Sequence, residues 1–166
     1  MRIEVDAIAP IVGTLYPTPF DKPCRKRERR KLGDAAGLTQ FGVNLLRLPP
    51  GVWSSQRHWH TGSDEFVYIL SGEVILLTDS GEELLRAGDA AGFKAGDTNG
   101  HCLQNRSDRE ALVLEIGSRI GRYRLLLGPG FGRAERWPTG YLYTSRWKAL
   151  RRYSTAWSGR LRNEPR

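Results

Sequence analysis

The sequence predicts an all-β chain, folded as an antiparallel sandwich or barrel. Short segments of alternating apolar and polar residues recur at hairpin spacing from residue 41 to residue 117. Turn signals such as Ser-Gly, Asp-Ser-Gly and Ala-Gly-Asp separate them, and no segment sustains a helical period. With 166 residues the chain is most simply one domain, long enough to bury a core.

Taken in order, residues 1–24 hold four prolines and read as an arm lying across the barrel or toward a partner subunit. The charged run 25–32 reads as a solvated edge strand protected by Lys and Arg, in preference to a phosphate-binding patch. Residues 33–38 make a turn, and 41–48 alternate as a strand ended by Pro49, Pro50 and Gly51. Further strands are expected at 53–60, 65–70, 73–79, 82–86, 90–93, 101–106 and 111–117, completing a domain at 25–121. Residues 122–166 form a tail rich in Arg, Gly and Trp, in which no period of 2 or 3.6 residues persists.

Charge is distributed unevenly. The net +8 would ordinarily suggest a nucleic-acid partner. Residues 1–121, however, carry 15 Lys and Arg against 16 Asp and Glu, while 122–166 carry 11 against 2. The basicity therefore belongs to the tail, and no nucleic acid is expected to bind the core. A DNA-binding regulator would also need a helix-turn-helix segment, and none is found. No apolar run approaches about 18 residues, so no membrane helix is expected. Glu4, Asp6 and a proline-broken start do not resemble a signal peptide. Cys24 and Cys102 are too few for a disulfide framework, so a cytoplasmic location is expected.

The three histidines all fall in two glycine-bounded segments, 51–72 and 88–105. His58 and His60 are two apart on an extended segment, so both side chains leave one face. Glu65 follows after a short Thr-Gly-Ser-Asp turn, which sets a carboxylate on the next strand near that pair. Any single histidine reads as a satisfied core or surface residue. Together, three imidazoles and a carboxylate form a donor set that suits Fe, Mn, Ni, Co, Zn or Cu. Asp64 is the alternative carboxylate. By strand parity Gln56 shares a face with His58 and His60, and becomes the candidate polar group aimed at a bound ligand. Val67 and Ile69 share a face with Glu65, as Leu103 and Asn105 do with His101, which implies a cavity polar at the metal and apolar beyond. Trp53 and Trp59 could stack on a ligand, but parity sets them on the other sheet surface or against a partner. Lys94 could hold an anionic substrate, but a lysine at a strand end is expected in solvent, and Cys102 alternates away from the ligands.

These residues resemble the two motifs of the cupin superfamily. Gly51, His58, His60, Glu65 and Gly72 match the first motif, with one extra residue before His58. Gly88, Gly96, His101 and Asn105 match the second. Lys94 stands where that motif has proline, and four residues rather than two separate Gly96 from His101. The run 32–119 is similar to small single-domain bacterial cupins of unassigned activity, some called sugar-phosphate isomerase-like or regulator-like by analogy.

The resemblance implies a double-stranded β-helix (jelly-roll) barrel with His58, His60, Glu65 and His101 as ligands to one divalent metal, Fe, Mn, Ni, Co or Zn. It implies a small oxygenated metabolite as ligand, with isomerase, decarboxylase or dioxygenase chemistry, and a homodimer as assembly. The alternatives are a non-catalytic metabolite sensor and a structural dimer stabilised by its metal. Cupins of this group continue with segments like YSDxDL and RDGxPY. A one-step frame shift across residues 125–131 and 146–151 permits both peptides, in that order, so the tail reads as an out-of-frame translation starting near residues 119–122. The competing reading is a basic, partly disordered extension that binds nucleic acid or membrane. Sequencing the coding DNA at the break decides between them, since an intact frame there sinks the frame-shift reading.

Overall fold

A computed structural model describes residues 2–119 and the strand segments 124–126, 134–136 and 141–144. The remainder of the tail, where most of the frame-shift reading falls, lies outside the described residues.

The regular structure of the described residues is mostly β, with almost no helix. Its strands are β1 (Ile11–Val12), β2 (Glu28–Lys31), β3 (Phe41–Leu48), β4 (His58–His60), β5 (Glu65–Ser71), β6 (Glu73–Thr78) and β7 (Gly81–Arg86). They continue with β8 (Ala90–Phe93), β9 (Cys102–Gln104), β10 (Ala111–Ser118), β11 (Arg124–Leu126), β12 (Ala134–Arg136) and β13 (Tyr141–Thr144). A six-stranded sheet runs β1-β2-β3-β10-β5-β8, facing a three-stranded sheet β7-β6-β9, while β4 pairs with β11 in a third. Apart from the β11–β13 pair, all the strand pairings are antiparallel. This is the expected jelly-roll barrel.

Alternation decides which residues fill it. On β3, Leu46 and Leu48 are fully buried, and their partners across the ladder are Val113 and Ala111 of β10. Val67 and Ile69 face the same core from β5, and Val74, Leu76, Leu85 and Leu103 close it from the opposite sheet. A slip of one residue in any of these strands would turn its apolar set outward, which pins the register. Between β5 and β6 the chain turns at Gly72, with φ of +73°. A side chain there would meet the Ala111 Cα at 2.8 Å, so only glycine fits both the dihedral and the space.

Three local expectations change. The charged run is not an edge strand, because β2 pairs with β3 on one side and with the two-residue β1 on the other. Arg27 is buried and Arg29 pairs with the buried Glu115, so part of that charge is interior. The segment 33–38, read as a turn, begins inside one helical turn, α1 (Leu32–Ala35). The strand expected at 53–60 shrinks to β4, with Trp53 making only an isolated bridge to Gln104. Ser54 explains this, because its hydroxyl oxygen accepts the Leu103 N–H at 3.0 Å and replaces a ladder bond with a side-chain one.

Candidate metal centre

The cluster forms where β4 meets the start of β9. His58 and His101 exchange both backbone bonds, His58 N–H to His101 O at 3.1 Å and His101 N–H to His58 O at 2.8 Å. The long turn before His101 therefore does not displace it. The extra residues are taken up by a tight loop in which the Gly96 N–H reaches His60 O at 2.8 Å and the Ala95 N–H reaches Asp64 Oδ1 at 2.8 Å. Asp64 is thus committed to holding this loop, which leaves Glu65 as the carboxylate of the cluster.

Four donor atoms converge, one each from His58, His60, Glu65 and His101, all within 4.8 Å of one another. His60 Nε2 lies 2.6 Å from Glu65 Oε2 and His101 Nε2 lies 3.2 Å from it. The His58 and His60 Nε2 atoms are 3.2 Å apart. The rings are buried, with 3%, 7% and 4% exposure for His58, His60 and His101. An ion with ligand distances of about 2.0–2.2 Å needs adjacent donors roughly 3 Å apart. The donor set and its spacing fit a divalent metal.

The ring orientations are set locally. His58 Nδ1 lies 3.0 Å from the Gln56 carbonyl, which can only accept, so Nδ1 carries the proton and Nε2 keeps its lone pair for the cluster. Ser55 Oγ lies 3.1 Å from the same Nδ1. On the other side Phe93 stacks on His101, with ring centroids 3.5 Å apart and planes 7° from parallel. Among the described residues, the buried His101 Nδ1 has no hydrogen-bond partner.

Gln56 bears on the site differently from the parity argument. It lies in a bend, outside β4, where alternation does not apply. Its side-chain amide donates to Phe20 O at 2.6 Å, and its contact with the cluster is through its backbone carbonyl. Cys102 turns away from the ligands as expected, its Sγ 3.0 Å from Ser55 O, and burial pushes its thiol up to about 12.

Two cavities flank the cluster. The outer one, about 190 Å³, reaches His60 and His101 and is walled by Trp59, Phe93, Lys94, Thr78 and Asn99. The inner one, about 10 Å³, touches His58, Glu65 and His101 on one side and Arg29 and Glu115 on the other. It holds one water at most. Sequence reasoning set Trp59 and Lys94 aside as ligand contacts, and missed Phe93 as a cavity wall and the Arg29–Glu115 pair. A signal for Glu115 existed, since it shares the inward parity of Ala111 and Val113.

A jelly-roll barrel with three histidines and one glutamate gathered at an interior point defines a class of small β-barrels equipped for one metal ion. The chain belongs to the cupin superfamily. The Cupin domain family matches residues 44–117. Among solved structures it resembles a cupin-superfamily sugar phosphate isomerase from Silicibacter pomeroyi DSS-3, at 44% identity and a TM-score of 0.70 over 72% of this chain and 76% of that one. A protein from Acidithiobacillus ferrooxidans, provisionally named a sugar phosphate isomerase, matches at 33% identity and a TM-score of 0.55, over 57% of this chain and 60% of that one. A predicted oxalate decarboxylase from Thermotoga maritima shares the fold at 22% identity and a TM-score of 0.56, over 71% of this chain and 98% of its own. No curated protein matches the sequence. Among the described residues no helix is long and apolar enough to cross a membrane.

Proposed function

We propose that this cupin is a metal-dependent isomerase of a small sugar phosphate. The observation that carries the reading is a four-donor cluster of which two members, His60 and His101, line a cavity of about 190 Å³. That volume lies below the roughly 300–1,000 Å³ of drug-sized pockets and suits a small metabolite. The resemblance to the Silicibacter isomerase supplies the substrate class. His58, His60, Glu65 and His101 would hold one divalent ion, Fe, Mn, Ni, Co or Zn. Such an ion, when bound, supplies Lewis-acid polarisation of a substrate oxygen. The chain's own part is positional. The Gln56 carbonyl fixes the His58 tautomer, Phe93 holds the His101 ring flat, and Trp59 and Phe93 shield the substrate's carbon frame from water.

The test joins metal content to turnover. Untagged protein, purified without chelating resin, is expected to carry close to one metal per chain by plasma mass spectrometry. The double variant His58→Ala with His60→Ala should carry none. The loaded protein should interconvert an aldose phosphate and its ketose isomer, followed by proton NMR. A chain that takes up no metal after reconstitution, or a loaded chain that interconverts no sugar phosphate, removes the reading. Zinc that resists chelators, in a protein without turnover, marks the ion as structural.

A further inference from the structure

We propose that Lys94 is an anion subsite of the outer cavity and takes the phosphate of the substrate, with the Asn99 amide as second donor. The proposal rests on the reading of that cavity as the substrate site. Lys94 follows the last residue of β8 and lines the same cavity as His60 and His101. It looks like a lysine at a strand end, a place where such residues are usually solvated. Its surroundings differ from that in three ways.

First, its backbone is held firmly. The next three N–H groups are all bonded, Ala95 to Asp64 Oδ1 at 2.8 Å, Gly96 to His60 O at 2.8 Å and Asp97 to Lys94 O at 3.1 Å. The root of the side chain is thereby tied to β4 and to the residue before Glu65, the segments that present the ligands. Second, its charge is unmatched. Among the described residues no carboxylate pairs with the Lys94 ammonium. Asp97 lines the same cavity, but its Oδ1 accepts the Asn99 N–H at 2.9 Å. Third, a neutral donor stands on the same wall. Asn99 Oδ1 accepts the Asp79 N–H at 2.7 Å, which orients the amide and leaves its NH₂ without a partner among the described residues.

Ammonium and amide together match a phosphate ester, whose oxygens accept from several donors at once. Lys94 is exposed, so the phosphate stays partly hydrated at the mouth while the sugar end reaches the cluster. The cavity thereby offers the Lys94 ammonium and the Asn99 amide beside the Asp97 carboxylate, and the His60 and His101 imidazoles of the cluster, donors for a phosphate and a sugar in one space.

The probe is inorganic phosphate, titrated by calorimetry into the full chain, both metal-loaded and metal-free, with acetate as the competing anion. The metal-free arm removes direct ligation of phosphate by the ion. Lys94→Met is expected to weaken phosphate binding about tenfold in both arms with metal content unchanged, and Lys94→Arg to restore it to within about threefold. Phosphate should bind more tightly than acetate. Equal phosphate affinity in wild type and Lys94→Met overturns the subsite, and tighter binding of acetate overturns its assignment to phosphate. Turnover separates the two readings. Phosphate held through Lys94 in a protein that isomerises nothing sinks only the reaction, whereas a KM for a sugar phosphate that does not rise in Lys94→Met sinks only the subsite.

Discussion

The cluster has two sides, and they treat charge in opposite ways. On the inner side Arg29 and Glu115 form a two-pronged pair, Nε to Oε2 at 2.9 Å and Nη2 to Oε1 at 3.0 Å. Beside them Arg27, 5% exposed, donates to the backbone carbonyls of Gly13 and Ser54, and burial pulls its pKa down. The space between these groups and the ligands is about 10 Å³. On the outer side the cavity is about 190 Å³ and Lys94 has no ion-pair partner among the described residues. A charge matched inside the fold contributes to the shape of the site. An unmatched charge at an open rim is available to a ligand. The division predicts that inner-side changes act on stability and outer-side changes act on binding.

The largest expected effect breaks the inner side. Arg29→Met leaves the Glu115 carboxylate buried beside the cluster without its partner, which costs about 3 kcal/mol. Adding Glu115→Leu removes the stranded charge and should recover most of that loss. Urea unfolding of the three proteins checks this. A single variant as stable as wild type would show that the pair is not what closes the inner side.

Which parts of this were legible in the sequence follows from how far each depends on distant residues. β3 and β8 begin and end where alternation places them, because parity is a local property. His58, His60, Glu65 and His101 were legible because three histidines in 166 residues leave few combinations, and two of them share a strand face. Gln56 misled because parity presupposes a strand, and the Ser54 hydroxyl had already taken the ladder's place. Arg29 read as surface charge because its partner lies 86 residues away on β10. The turn before His101 was opaque for the same reason. Its length says how much chain must be stored, but its shape is set by Gly96 reaching back to His60.

A smaller effect sharpens the outer side. Phe93→Leu keeps an apolar residue at the cavity wall but removes the flat stack against His101. Metal affinity should fall ten- to hundredfold, as when other supports behind a ligand are removed. Stability should change by less than about 1.5 kcal/mol. Competition with a chelator of known affinity measures the first and urea unfolding the second. A larger loss of stability than of affinity would place Phe93 with the core and blur the division between the two sides.

The smallest effect returns to the inner end and depends on pH. Burial, the largest cause, pushes the Cys24 thiol up to about 11 from its ordinary 9.0, with Arg27 and Arg29 opposing it in part. The folded chain therefore keeps a proton that the unfolded chain releases as pH rises past 9. Stability is complete below that point and falls by up to about 1.4 kcal/mol per pH unit toward 11. At pH 10 the loss from this thiol alone is about 1.4 kcal/mol. Cys24→Ala removes the titrating group and leaves the Cys102 thiol in both proteins, so the difference between their urea midpoints at pH 8 and pH 10 isolates Cys24. Wild type should lose more stability over that interval than the variant, while the two carry the same metal. Parallel losses would mean that Cys24 already meets water in the folded chain, and that the inner side is less tightly closed than its packing requires.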